Sequence, residues 1–281
     1  MKRQITALGI ILALNLSVAI TRIVLHVLTG SSSILADAIH AFSDSGANIV
    51  AIFGIWLAAR PAHEAHPYGH KRFEPLAVVI IGLMVFAGGV VVAQQGIEKL
   101  ISGSAVVFSP IAFWLLVGTL VLNALIASIE RFLGKRWQSR LLKADATHTV
   151  SDLFAGGAVL VGYGALKIGV SVLDPLAALA IAGLIIFIAV RELIWENIQI
   201  LIDAKVFDEQ EIRTVVEKIP GVIECHHIRS RGTAEDPFID LHIRVKAHTT
   251  IENAYPIVQT VRKALEEKLR ADATIQVEPE L

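Results

Sequence analysis

Six apolar stretches, each roughly 20 residues or longer, fill most of the first two hundred positions: about 5–28, 34–59, 74–97, 110–133, 146–168 and 174–195. A helix that crosses a bilayer needs roughly 20 mostly apolar residues, so each stretch predicts a membrane span. Turn formers separate them, with Gly30-Ser31-Ser32-Ser33 after the first, Arg60-Pro61 after the second and Asp174-Pro175 opening the sixth. From Asp203 onward the pattern changes. Asp208–Ile219 alternates at the helical period and stops at Pro220-Gly221. Val222–Ser230 and Phe238–Ala247 read as strands, the second placing Ile239, Leu241, Ile243 and Val245 on one face. A helix follows over Ile251–Arg270, and a last strand over Thr274–Val277.

The expected fold is a polytopic α-helical membrane protein with six transmembrane helices over 1–202. A C-terminal cytosolic α+β domain over 203–281 is ferredoxin-like in its α-β-β-α-β order. That order predicts an antiparallel sheet with helices on one face. Composition sharpens the division. The chain is 54% hydrophobic and only 18% charged, well below the charged quarter usual for soluble domains. Residues 1–202 carry 14 Lys+Arg and 11 Asp+Glu, a net of +3, whereas the last 79 residues carry 11 and 15, a net of −4. A wholly secreted or wholly cytosolic enzyme is excluded. The overall net charge of −1 leaves no footprint for nucleic acid. The single cysteine, Cys225, excludes a disulfide framework and any paired-cysteine zinc site.

Lysine and arginine counts set the orientation. Lys2, Arg3, Arg60, Lys71, Arg72, Arg131, Lys135, Arg136, Arg140 and Lys143 flank one side, against Lys99 and Lys167 on the other. Both termini are therefore expected in the cytoplasm.

The most informative feature is a repeat. Residues 36–44 read A-D-A-I-H-A-F-S-D and residues 144–152 read A-D-A-T-H-T-V-S-D, in the second and fifth spans. Internal repeats are a mark of transporter folds. The His and final Asp of each copy are four positions apart, so they share a helix face. Two such helices side by side offer His40, Asp44, His148 and Asp152 to one point, a tetrahedral set for a divalent cation and for zinc above all. Ionisable groups at that depth cost about 2.5–3.5 kcal/mol each on insertion scales, and four together call for a compensating cation or proton. Asp37 and Asp145, a turn earlier, read as capping or lining groups.

The loop after the second span, His63-Glu64-Ala65-His66-Pro67-Tyr68-Gly69-His70, places three imidazoles among turn formers. His63, His66 and His70 can close on one metal, although a solvated polar loop explains them too.

The two motifs, the six spans and the α+β tail together resemble the cation diffusion facilitator family of divalent-metal/proton antiporters, over essentially the whole chain. The resemblance implies that His40, Asp44, His148 and Asp152 form the transport site, and the two-His, two-Asp set resembles the zinc-preferring branch. It implies a second metal site at His63, His66 and His70. In the tail His226, His227, His242 and His248 are candidates for regulatory metal sites, and the resemblance points to His226 and His242, with Glu278, as one such site. Tyr255 and Gln276 stand where the family has further histidines, and Glu278 stands for an Asp, which argues against a two-metal tail site. Cys225 beside His226 reads as a thiolate donor or, more simply, a packed small residue.

The expected function is secondary export of zinc from the cytosol in exchange for protons, with cadmium, iron(II), cobalt and manganese as other cargo. No cofactor is expected beyond the cation itself, which is substrate and regulatory ligand. The expected setting is a homodimer in the lipid bilayer of a bacterial inner membrane. A metal sensor or scaffold that has lost transport is the rival reading. A membrane-embedded metallohydrolase fits less well, because four symmetric ligands leave no open position for water.

Overall fold

The computed structural model describes the backbone of residues 2–29, 32–102, 110–167 and 173–280. Side chains are described over 5–24 except 18, 21 and 22, over 45–102, over 113–158 except 115 and 116, at 160, and over 175–280. The chain divides into two compact units, Met1–Ile198 and Gln199–Leu281.

The first unit is helical: α1 (Lys2–Thr29), α2 (Ser32–Ala58), α3 (Phe73–Ser102), α4 (Pro110–Arg136), α5 (Arg140–Lys167) and α6 (Leu173–Ile188). A π-helical turn over Ala189–Trp195 carries α6 into α7 (Glu196–Leu201). Helix α1 packs on α2, α3 on α6 and α4 on α5, while α2 and α3 both touch α5. Small residues let these helices approach. A Cβ on Gly54 would lie 2.5 Å from the Ala77 Cβ, and one on Gly82 would lie 2.8 Å from the Leu193 Cβ. Leu8, Ala51, Ile81, Leu141, Leu142 and Ala189 form the dry interior. Large apolar side chains such as Ile10, Phe53, Leu83, Leu125 and Phe187 point outward and exposed. Apolar on the outside as well as the inside is the pattern of a helical membrane domain. Among the described residues, three helices are long and apolar enough to cross a membrane: Phe73–Ser102, Val117–Arg136 and Pro175–Leu201.

Helix α5 begins at Arg140, six residues ahead of the apolar stretch that announced it. Ser139 opens it, its Oγ accepting from the Leu142 N–H at 3.4 Å, as helix-capping hydroxyls do. Asp145 is consequently well inside the helix and not a cap.

The second unit runs α8 (Glu209–Val216), β1 (Glu224–Thr233), β2 (Asp236–Val245), α9 (Ile251–Leu269) and β3 (Asp272–Pro279). Helix α9 starts at Thr250, whose hydroxyl accepts from the Asn253 N–H, and ends where Arg270 turns left-handed. The sheet order is β1-β2-β3. The sequence order of elements holds, but the sheet is mixed and not antiparallel: β1 and β2 form an antiparallel hairpin, and β3 lies parallel to β2. The reason is the connection. Helix α9 returns the chain to the end of the sheet from which β2 set out, and a crossover helix joins parallel strands. Ile239, Leu241, Ile243 and Val245 face the core against Ile212, Val216, Val261 and Leu265, as the alternation predicted. The other face of the sheet is left for polar side chains, and there His226, His227 and His242 gather.

Candidate metal centres

In α5, the His148 Nδ1 and the Asp152 Oδ2 are 3.3 Å apart, with side chains only 11% and 14% exposed. One helical turn brings them together, as the four-residue spacing requires. The side chains of His40, Asp44 and Asp37 lie outside the described residues. Their helix, α2, packs against α5.

A buried polar chain runs beside this pair. The Asn15 amide donates to the Asn48 Oδ1 at 3.0 Å. Asn48 in turn donates to the Asp145 Oδ2 at 2.6 Å. The Thr149 hydroxyl donates to the Glu130 Oε2 at 3.1 Å. Glu130 is fully buried, and among the described residues its other carboxylate oxygen has no hydrogen-bond donor. Helices α1, α2, α4 and α5 are tied together by these contacts. Sequence reasoning passed over Glu130, Asn15 and Asn48. The available signal was a lone carboxylate in an apolar span, which by itself marks a functional position in a membrane.

The loop between α2 and α3 folds His63, His66 and His70 onto one another. His63 and His66 form a two-residue antiparallel bridge, their backbones exchanging hydrogen bonds of 3.2 and 2.9 Å. Gly69 then turns the chain with φ +77, a conformation a side chain would resist. The N–H of Gly69 bonds to the His66 carbonyl at 3.0 Å, and the Phe73 N–H bonds to the His70 carbonyl at the start of α3. One nitrogen from each of the three rings lies within 4.8 Å of the others. Ring centres are 4.5 to 5.2 Å apart. The Ala65 N–H donates to the His63 Nδ1 at 3.3 Å. Among the described residues the buried His70 Nδ1 has no hydrogen-bond partner. A buried orphan of this kind fits a missing ligand bond.

In the second unit, His226 on β1 is the register partner of His242 on β2. Glu278 on β3 reaches both, its carboxylate oxygens 2.9 Å from the His226 Nε2 and 2.7 Å from the His242 Nδ1. Hydrogen bonds from His242 and then His226 hold the Glu278 carboxyl below its ordinary range. The His226 Nδ1 is buried without a hydrogen-bond partner among the described residues. His226, His242 and Glu278 form the second group of three donors within 4.8 Å among the described residues. His248 is exposed, and Tyr255 is 63% exposed.

Cys225 points the other way, into the core beside Ile239 and Ile243. Burial pushes its thiol up to about 11, so it is a packing residue and not a thiolate donor. Cys225 is expected to resist maleimide at neutral pH in the native protein and to react fully in guanidinium. Mass spectrometry of the alkylated chain reads this directly, and rapid native labelling would contradict the packing assignment.

Comparison with known proteins gives a consistent picture. The family model described as the cation efflux transmembrane domain matches residues 8–202, and that of the cation efflux protein cytoplasmic domain matches residues 205–280. An uncharacterized transporter of Methanocaldococcus jannaschii is 29% identical over 257 residues, covering 90% of this chain and 89% of the relative. The cation-efflux pump FieF of Shigella boydii is 29% identical over 239 residues, covering 84% and 79%. FieF of Yersinia enterocolitica is 28% identical over 254 residues, covering 89% and 84%. A solved MamM-CTD structure aligns at 28% identity with 26% of this chain and 94% of its own, at a TM-score of 0.25.

Proposed function

The chain belongs to the cation efflux, or cation diffusion facilitator, family and is a divalent-cation efflux transporter, and from that premise we propose that it exports zinc in exchange for protons. The transport site is His40, Asp44, His148 and Asp152. The observation that carries this reading is the His148–Asp152 pair, little exposed and one turn apart on α5, with the matching motif on the adjacent α2. Imidazole nitrogens and carboxylate oxygens bind a metal through the same lone pairs that bind protons, so cation and protons compete for one site. Facing the cytosol, the site takes up metal and releases protons. Facing outward, protons displace the metal, and the inward proton gradient resets the cycle.

Residues 1–202 are the six-span transport part, set in a bacterial inner membrane with both termini in the cytoplasm. Residues 203–281 sense cytosolic metal at His226, His242 and Glu278 and hold two chains together as a homodimer. The loop trio His63, His66 and His70 binds a further zinc, a reading supported by the buried, unpartnered His70 Nδ1. Three protein nitrogens leave the fourth tetrahedral position to water or a neighbouring group. His66→Ala is expected to release one zinc per chain without loss of helix content, measured by elemental analysis of dialysed protein and circular dichroism.

The deciding experiment is uptake into proteoliposomes under an imposed pH gradient, with zinc, cadmium, iron(II) and manganese offered in turn. Zinc uptake that collapses with the gradient supports antiport and the metal assignment together. Uptake of iron or manganese without zinc overturns the metal assignment, and uptake indifferent to the gradient overturns proton exchange. Tight zinc binding without any transport would favour the sensor reading.

A further inference from the structure

We propose that the tail metal site is a four-ligand cage closed by His227, so that three imidazoles and one carboxylate surround a single transition-metal ion. This deepens, and rests on, the reading of His226, His242 and Glu278 as that site.

His227 occupies a position in β1 that should face the core. Neighbouring residues of a strand point to opposite faces of the sheet. Cys225 faces the core, so His226 faces out and His227 should turn inward. It does not, because β1 carries one extra residue. His226 pairs with His242 and Arg229 pairs with Asp240, so β1 advances three positions while β2 advances two. Such a bulge re-aims a side chain and is common beside functional sites. His227 takes up the extra residue with a left-handed φ of +49, a region that non-glycine residues seldom occupy and in which histidine is enriched. After it, the alternation resumes: Ile228 packs on the core, Arg229 is exposed and Ser230 is buried. The net effect is two successive histidines on the same face.

The three rings then form a nearly regular triangle. Ring centres are 5.2 Å apart for His226 and His227, 5.6 Å for His226 and His242, and 5.1 Å for His227 and His242. A zinc–nitrogen bond of about 2.0–2.1 Å places the metal about 3.2 Å from a ring centre. Two imidazoles at the tetrahedral angle then have centres about 5 Å apart, the spacing found here. Glu278 already reaches His226 and His242 from β3. The fourth vertex is thus occupied by a carboxylate. A strained backbone residue and a local register shift converge on this point. An imidazole-rich set with one negative charge suits zinc, cobalt(II) and nickel, and suits manganese and magnesium poorly.

The test uses the full chain in detergent, with His66→Ala and Asp152→Asn together silencing the other two sites, titrated with cobalt(II). Four-coordinate cobalt gives intense visible bands that octahedral cobalt lacks. The parent is expected to show these bands, and manganese is expected to compete for the site only weakly. His227→Ala and His227→Asn should each weaken cobalt binding by at least about 10–100-fold and lose the bands, with circular dichroism unchanged. The Asn variant is included because it tolerates the left-handed backbone. His248→Ala, in the same tail, should leave binding unaltered. Parent-like affinity and spectrum in both His227 variants, alongside loss in His242→Ala, would overturn the cage and leave a three-ligand tail site standing. No loss in His242→Ala either would overturn the tail site and the cage together.

Discussion

Asp152→Asn is expected to reduce pH-gradient-driven zinc uptake in proteoliposomes to the level of protein-free vesicles, while the protein inserts and folds normally. The substitution keeps the shape of the side chain and its hydrogen-bonding reach toward His148, 3.3 Å away on the same helix face. What it removes is the negative charge. A divalent cation entering a low-dielectric interior must be neutralised by its ligands, because an isolated charge there is costly. With two carboxylates the site and a zinc ion sum to zero, and with one they carry a net positive charge. The loss therefore falls on binding and on transport alike. Stopped-flow uptake with an entrapped zinc dye is the measurement, with the fluorescence of Trp56, Trp114, Trp137 and Trp195 as the folding control in the same unit. Retained gradient-driven uptake would remove Asp152 from the transport site.

Leu241→Ala carries the second large effect, on stability. Leu241 is 1% exposed in the central strand β2, in the core closed by α8 and α9. Truncating a buried leucine costs about 2–5 kcal/mol through lost transfer energy and the cavity left behind. In the full chain, amide hydrogen exchange over 236–245 should accelerate by about 30-fold to several thousand-fold, the same free energy expressed as a ratio. Thr274→Ala on β3, at an exposed position, should change exchange little, since surface substitutions usually stay within about 0.5 kcal/mol. The consequence reaches the metal site, because Leu241 anchors the inner face of the strand whose next residue is His242. Exchange in Leu241→Ala equal to the parent would mean that this core does not hold the sheet together.

Much of the architecture was legible along the chain because it depends on local period. The helices start and stop within a few residues of the apolar stretches, and β2 keeps the inward set Ile239, Leu241, Ile243 and Val245. His148 and Asp152 meet because four residues make about one helical turn. His63, His66 and His70 meet because proline and glycine leave a short loop few ways to fold. The errors share a cause. The expected antiparallel sheet became mixed because strand direction depends on the path of α9, and no periodicity encodes a path. The capping alternative for Asp145 fails because the start of α5 is set by Ser139, in a polar segment that hydropathy does not mark.

What the sequence determined by itself is the set of surfaces: which faces are apolar, which segments are long apolar stretches, and which imidazole and carboxylate groups share a helix turn or a short loop. Only the tertiary structure decided partners. Asn48 and Asp145 meet across 97 positions, and Glu130 finds Thr149 on a neighbouring helix. His227 joins His242 through one extra residue in β1. The physical reason is that a period of 3.6 or 2 is a property of the backbone and survives in any context. Register, bulges and cross-helix hydrogen bonds are instead chosen by the free energy of burying distant side chains against each other, and that choice exists only once the chain is packed.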